Sequence, residues 1–64
     1  MAEKIYSVWI KDSDEVTDEY LDSIEEAMGV CEDLREQGYD STIEEVDAET
    51  GKNLGWYDAN GKKI

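Results

Sequence analysis

Histidine is absent from this 64-residue chain, and cysteine occurs once. Without histidine the chain lacks the commonest transition-metal ligand and the usual general base near neutral pH. No Ser–His or Cys–His nucleophile can be assembled either. A single Cys31 permits no internal disulfide, which leaves core packing, a partner or a second copy to stabilise so small a fold. Phenylalanine is also missing, so Tyr6, Trp9, Tyr20, Tyr39, Trp56 and Tyr57 form the whole aromatic set. No stretch approaches the roughly 20 apolar residues of a membrane span. The opening Met1-Ala-Glu-Lys-Ile-Tyr lacks the apolar core of a signal peptide. These absences lead us to expect a cytosolic protein, of a bacterium, an archaeon or an infecting virus (host cytoplasm in the last case). We expect it to have no cofactor and no dedicated metal.

Positive charge is scarce. Six basic residues face 18 acidic ones, for a net charge of −12. Between positions 12 and 49 there are sixteen acidic residues and one basic residue, Arg35, a local balance of −15. The remainder holds Glu3 and Asp58 against Lys4, Lys11, Lys52, Lys62 and Lys63, a balance of +3. We therefore expect no direct binding to nucleic acid or to an anionic membrane, because both require net positive surface. The length implies one domain, residues 1–64, that buries only about 60% of the surface its unfolded chain exposes.

Along the chain, residues 4–11 are rich in β-branched and aromatic types and read as a strand. Alternation sets Tyr6, Val8 and Ile10 on one face and Ile5, Ser7 and Trp9 on the other. A polar break follows at Asp12-Ser-Asp-Glu. Residues 16–22 fit either a short strand over 16–20, pairing back on the first, or an extended acidic loop. Ser23-Ile-Glu-Glu matches a capping box, in which Ser23 accepts from the N–H three residues on and Glu26 reaches back. Ile24, Ala27, Met28, Cys31 and Leu34 then recur at helical spacing, with Val30 at the flank. A helix over 24–37 follows, closed by Gly38 as its C′ residue. Gly29 within it implies a close approach over the sheet.

Residues 41–47 read as a further strand. Regular pairing would place Ile43 and Val46 on opposite faces, which a bulge would relieve. A turn through Gly51 leads to a returning strand over 53–57. Asn60-Gly61 signals a second turn that can bring back 62–64 as a short strand. The expected fold is therefore α+β and two-layered, with one helix on a three- or four-stranded, mostly antiparallel sheet in β-α-β-β order. Were the first strand and the one after the helix parallel, their crossover would be right-handed, with the last hairpin strand able to lie between them.

Few motifs suggest chemistry. Acid–base work by paired carboxylates needs environments that separate their pKa values, and a chain so dense in acid contains many accidental pairs. Asp12-Ser-Asp14 begins like a calcium loop. However, the fifth, sixth and twelfth positions are Val16, Thr17 and Ser23, where the motif needs an oxygen ligand, glycine and glutamate. Weak divalent-ion binding is the least favoured reading. Gly51-Lys52 lacks the preceding glycine and following helix of a phosphate-binding loop. Cys31, on the apolar helix face and beside Glu32 and Asp33, reads as a small core hydrophobe.

Two features suggest binding instead. Carboxylates on a rigid helix, Glu25, Glu32, Asp33 and Glu36 above all, can imitate the phosphates of a duplex and engage the basic groove of a nucleic-acid-binding protein. In length and charge the chain resembles the small acidic inhibitors that bacteriophages make against host restriction, repair or CRISPR proteins. The likeness lies in composition and not in a motif. The second feature is aromatic: one helix covers one sheet face, so Trp9 and Ile5 should share the other with Trp56 or Tyr57, according to register. The sequence thus points to a non-enzymatic protein-binding module with a basic partner. The alternative is a structural or accessory homodimer joined through the aromatic face.

Overall fold

The computed structural model describes residues 3–13 and 15–64; Met1, Ala2 and Asp14 fall outside the described residues. Five elements follow one another: β1 (Lys4–Ile10), β2 (Val16–Leu21), α1 (Ile24–Glu36), β3 (Ser41–Asp47) and β4 (Asn53–Asp58). The strands form one sheet in the order β2-β1-β3-β4, and every neighbouring pair is antiparallel. The α+β two-layer fold is as expected, with four strands, and the segment after the polar break is a strand in its own right.

Strand order depends on that second strand. Because β2 returns antiparallel to β1, α1 starts at the end of the sheet where β1 began. It climbs back across the sheet and delivers β3 antiparallel to β1. Lys4 pairs with Asp47 and Ile10 with Ser41 in an unbroken register. β1 and β3 are therefore direct antiparallel neighbours, and β4 lies outside β3. The alternative of a parallel crossover with the last strand between them does not apply. The parallel relationship is between β2 and β3, with β1 separating them.

The helix ends follow local chemistry. Ser23 is extended (φ −146°, ψ 159°), and its hydroxyl accepts from the Glu26 N–H at 3.3 Å, satisfying one of the unpaired donors of the first turn. Among the described residues, the reciprocal bond from the Ser23 N–H to the Glu26 carboxylate does not form, so half of the capping box is present. At the other end Gly38 adopts φ 91°. The N–H groups of Gly38 and Tyr39 donate to the carbonyls of Arg35 and Leu34 at 3.0 and 2.9 Å, a Schellman closure that requires a left-handed residue at that point.

Val8 and Ile43 from the sheet meet Ala27 and Cys31 from the helix in a fully buried centre. Tyr6, Leu21, Ile24, Met28 and Leu34 pack around it. The helix lies over β2, β1 and β3 and makes no close approach to β4. Ile43 faces the helix and Val46 the opposite layer, so β3 accommodates its two apolar residues with no bulge against β1. The irregularities are in its neighbours. β4 carries one extra residue where Glu45 pairs with Gly55 and Val46 with Asn53. β2 carries two extra residues between Val16 and Leu21. At the second of these, Tyr20 is held at φ 61°, a region bulky residues seldom occupy.

Two turns of similar design close the C-terminal half. Asp47 Oδ1 accepts from the N–H groups of Glu49 and Thr50. Asp58 Oδ1 accepts from those of Asn60 and Lys62. Each turn uses a left-handed glycine, Gly51 just after Thr50 and Gly61 between Asn60 and Lys62. The anticipated strand over 62–64 is reduced to one bridge, Lys63 with Tyr57, and a bond from the Ile64 N–H to the Trp56 carbonyl.

Two glycines are expected to respond oppositely to alanine. Gly29 is exposed, and a Cβ added there would meet nothing within 4 Å, so it marks no close approach to the sheet, contrary to the sequence expectation. Gly29→Ala should stabilise by about 0.8–1 kcal/mol through helix propensity. At Gly61, φ is 80° and a Cβ would stand 2.7 Å from the Met28 sulfur, so Gly61→Ala should destabilise by about 1–2 kcal/mol. Urea unfolding midpoints for the two variants check both signs.

Candidate functional site

Alternation along β1, β3 and β4 divides the molecule into a helix-bearing layer and a sheet face over which no described helix or strand lies. The two surfaces have different chemistry, and each carries some of the residues singled out from the sequence.

On the helix layer, Glu25, Glu32 and Glu36 are spaced seven and four residues apart and so lie along one outward stripe. Asp33 flanks them, and all four are exposed. Their position follows from the core: Ala27 and Cys31 face the sheet, so the opposite side of the helix faces water. Among the described residues the only ion pair is Lys4 Nζ with Glu45 at 4.0 Å, and no helix carboxylate takes part. Even Arg35, the one cation on the helix, donates to the Asn60 side-chain oxygen at 3.3 Å. Between positions 12 and 49, the described acidic residues are all exposed except Glu44, Glu45 and Asp47. No group of three or more described residues is placed to hold a metal ion. The calcium-like start at Asp12 includes Asp14, which lies outside the described residues.

On the opposite face, register selects Trp56. It pairs with Glu44 on β3, while Tyr57 pairs with Ile43 and turns toward the helix layer. Tyr57 is thereby separated from the aromatic face. The rings of Trp9 and Trp56 meet edge to face with centroids 6.4 Å apart, an arrangement favoured by the ring quadrupoles. Glu44 neighbours both, paired across the ladder with Trp56 and bonded by Trp9. Its carboxylate accepts from Trp9 Nε1 at 3.0 Å and from Asn53 Nδ2 at 2.8 Å, so the central charge is held by two donors. Ile5 and Val46 provide apolar floor beside it, and Tyr20 stands at the margin, 74% exposed.

Beneath the helix's first turns lies a polar group that sequence reasoning missed. Glu45 is only 8% exposed. Its Oε2 accepts from the hydroxyls of Tyr6 at 3.1 Å and Tyr57 at 3.4 Å. The available signal was its spacing, since Glu45 falls two residues after the core residue Ile43 and must face the same layer. Burial pushes the Tyr6 hydroxyl pKa above its usual value of 10.0, and the Glu45 carboxylate adds to the shift by hydrogen bonding and by charge. At the other end of the helix, burial raises the Cys31 thiol pKa, partly offset by Ser41 and Arg35. The thiol is therefore less ionised than a free cysteine, which suits its place in the core.

The arrangement is a two-layer α+β domain with an unpaired acidic helix surface on one side and an uncovered, aromatic-bearing sheet face on the other. No protein-family model matches the chain, and neither a curated protein nor a solved structure matches it. No described helix is long and apolar enough to cross a membrane.

The Tyr6 shift gives a pH prediction. A folded pKa raised above 10.0 means that the native state holds this proton more tightly than the unfolded chain. The associated stability is complete below pH 10 and is lost as pH rises through the folded value. Tyr6→Phe should lower stability by about 1–2 kcal/mol at neutral pH through loss of the bond to Glu45. It should also flatten the decline of stability above pH 10, as measured by urea unfolding at a series of alkaline pH values.

Proposed function

We propose that this chain is a non-enzymatic protein-binding module of the cytosol, whose helix carboxylates engage a basic protein that handles nucleic acid. One observation carries the reading: Glu25, Glu32, Asp33 and Glu36 stand exposed on one rigid helix, and no described cation pairs with them. Carboxylates placed in this way are free to meet an incoming partner at a spacing set by the helix. Fixed charge of one sign steers association and raises its rate. The absence of histidine and the buried, poorly ionised Cys31 support a role without bond chemistry.

The rival, a homodimer through the face bearing Trp9 and Trp56, has the uncovered aromatic pair in its favour. A two-fold interface sets each surface patch against its own copy. The acidic residues around that face would then oppose one another, which makes this the weaker reading.

Capture of a basic nucleic-acid-binding protein is expected to weaken steeply between about 50 and 200 mM salt and to be competed by DNA. Replacing Glu25, Glu32 and Glu36 together by Gln should abolish capture at about 150 mM salt and leave the unfolding transition in place. Surface plasmon resonance across the salt series, with the wild-type and triple-variant chains, makes the measurement. Equal binding by the two would refute the assignment to the helix face.

A further inference from the structure

We propose that the uncovered sheet face is a second binding surface, specific for a short cationic segment that carries an apolar side chain between Lys or Arg residues. The proposal does not depend on the helix-face reading, because the two surfaces lie on opposite layers.

A groove of about 430 Å³ crosses this face. Its floor is mixed: Ile5, Trp9 and Val46 supply apolar surface, and Ser7 and Glu44 lie among them. Every charged residue that lines it is acidic: Glu19 from β2 on one side, Asp47 and Glu49 from the β3–β4 turn on the other, and Glu44 in the floor. These carboxylates are not equivalent. Glu44 is engaged by Trp9 and Asn53, and Asp47 is engaged by the N–H groups of its own turn. Glu19 and Glu49 are exposed and enter no ion pair among the described residues. Apolar surface set between two exposed carboxylates, Glu19 on one side and Glu49 on the other, is complementary to an apolar side chain flanked by cations. It repels nucleic acid, an anionic bilayer and the acidic rim of a second copy.

Tyr20 supports the same conclusion. It lines the groove, is 74% exposed, and sits at φ 61° in the second bulge of β2. An exposed aromatic in that conformation gains little from its own fold, and strained residues cluster at ligand clamps. Tyrosine also supplies large contact area at low entropic cost. The bulge turns it toward the groove, where it would close over the bound side chain.

The test uses the full chain, isotopically labelled, and the peptide acetyl-Lys-Leu-Lys-Leu-Lys-amide as probe. The expected result is saturable amide shifts centred on Ile5, Trp9 and Val46. Replacing the leucines by serine should weaken binding at least about tenfold, the loss of desolvated apolar contact. Glu19→Gln combined with Glu49→Gln should weaken it about fivefold or more. Both positions are exposed, so the fold is not at risk. Tyr20→Asn should weaken binding while raising the urea midpoint, because asparagine tolerates positive φ. The helix variant with Glu25, Glu32 and Glu36 replaced by Gln should retain the groove shifts. The proposal is overturned if the serine peptide binds as tightly as the leucine peptide, if the shifts map to α1, or if the Glu19/Glu49 variant binds unchanged. It is equally overturned if, without peptide, the mass doubles with concentration and the Trp9 and Trp56 signals move, since a second copy would then occupy the face.

Discussion

Everything in this structure is built around a contact between two small helix side chains and two branched strand side chains: Ala27 and Cys31 over Val8 and Ile43. Small residues on the helix let it settle close to the sheet, and in a chain of 64 residues that centre must organise the whole core. One helix of thirteen residues can shield a limited width of sheet. It covers β2, β1 and β3 and leaves β4 to be held by other means. Those means are its ladder with β3, the Tyr57 hydroxyl on Glu45 and, just beyond the strand, the close approach of Gly61 to Met28 and the bond from Arg35 to Asn60.

The same limit leaves the other sheet face without a covering layer. Trp9 and Trp56 lie against each other over it, and Trp9 and Asn53 secure Glu44, so the face is partly closed by its own side chains. This accounts for two acidic residues in succession within the central strand β3. Alternation sends Glu44 to one layer and Glu45 to the other, and each finds ring donors there: an indole N–H in one case and phenolic hydroxyls in the other. Buried or half-buried carboxylates persist only with such partners.

The sheet edges show a further consequence of small size. A flat exposed edge invites pairing with other chains. Here β2 is broken by two bulges and bears Asp18 and Glu19, and β4 is broken by one bulge and paired along part of its outer side by Lys63 and Ile64. Bulges twist the strand and disrupt the ladder. The carboxylates add repulsion between copies, so irregular backbone and high negative charge both oppose edge-to-edge stacking.

Local chemistry made much of this readable in advance. The helix start at Ser23, its end at Gly38 and the turns at Gly51 and Gly61 depend on residues within a few positions of one another, so the chain alone determined them. It also determined the alternation of β1 and the outward acid of α1, because a 3.6-residue period and a 2-residue period act on neighbours. What the chain alone left open was long-range: that 16–21 is a strand, that β3 pairs antiparallel with β1, that Trp56 and not Tyr57 joins Trp9, and that Glu45 is buried. Pairing partners and register are decided by contacts between residues far apart in sequence, and a slip of one residue exchanges every side chain between faces. Only the packed tertiary structure, by placing Val8 and Ile43 beneath Ala27 and Cys31, selected the register that sets one charged surface and one aromatic groove on opposite sides of the molecule.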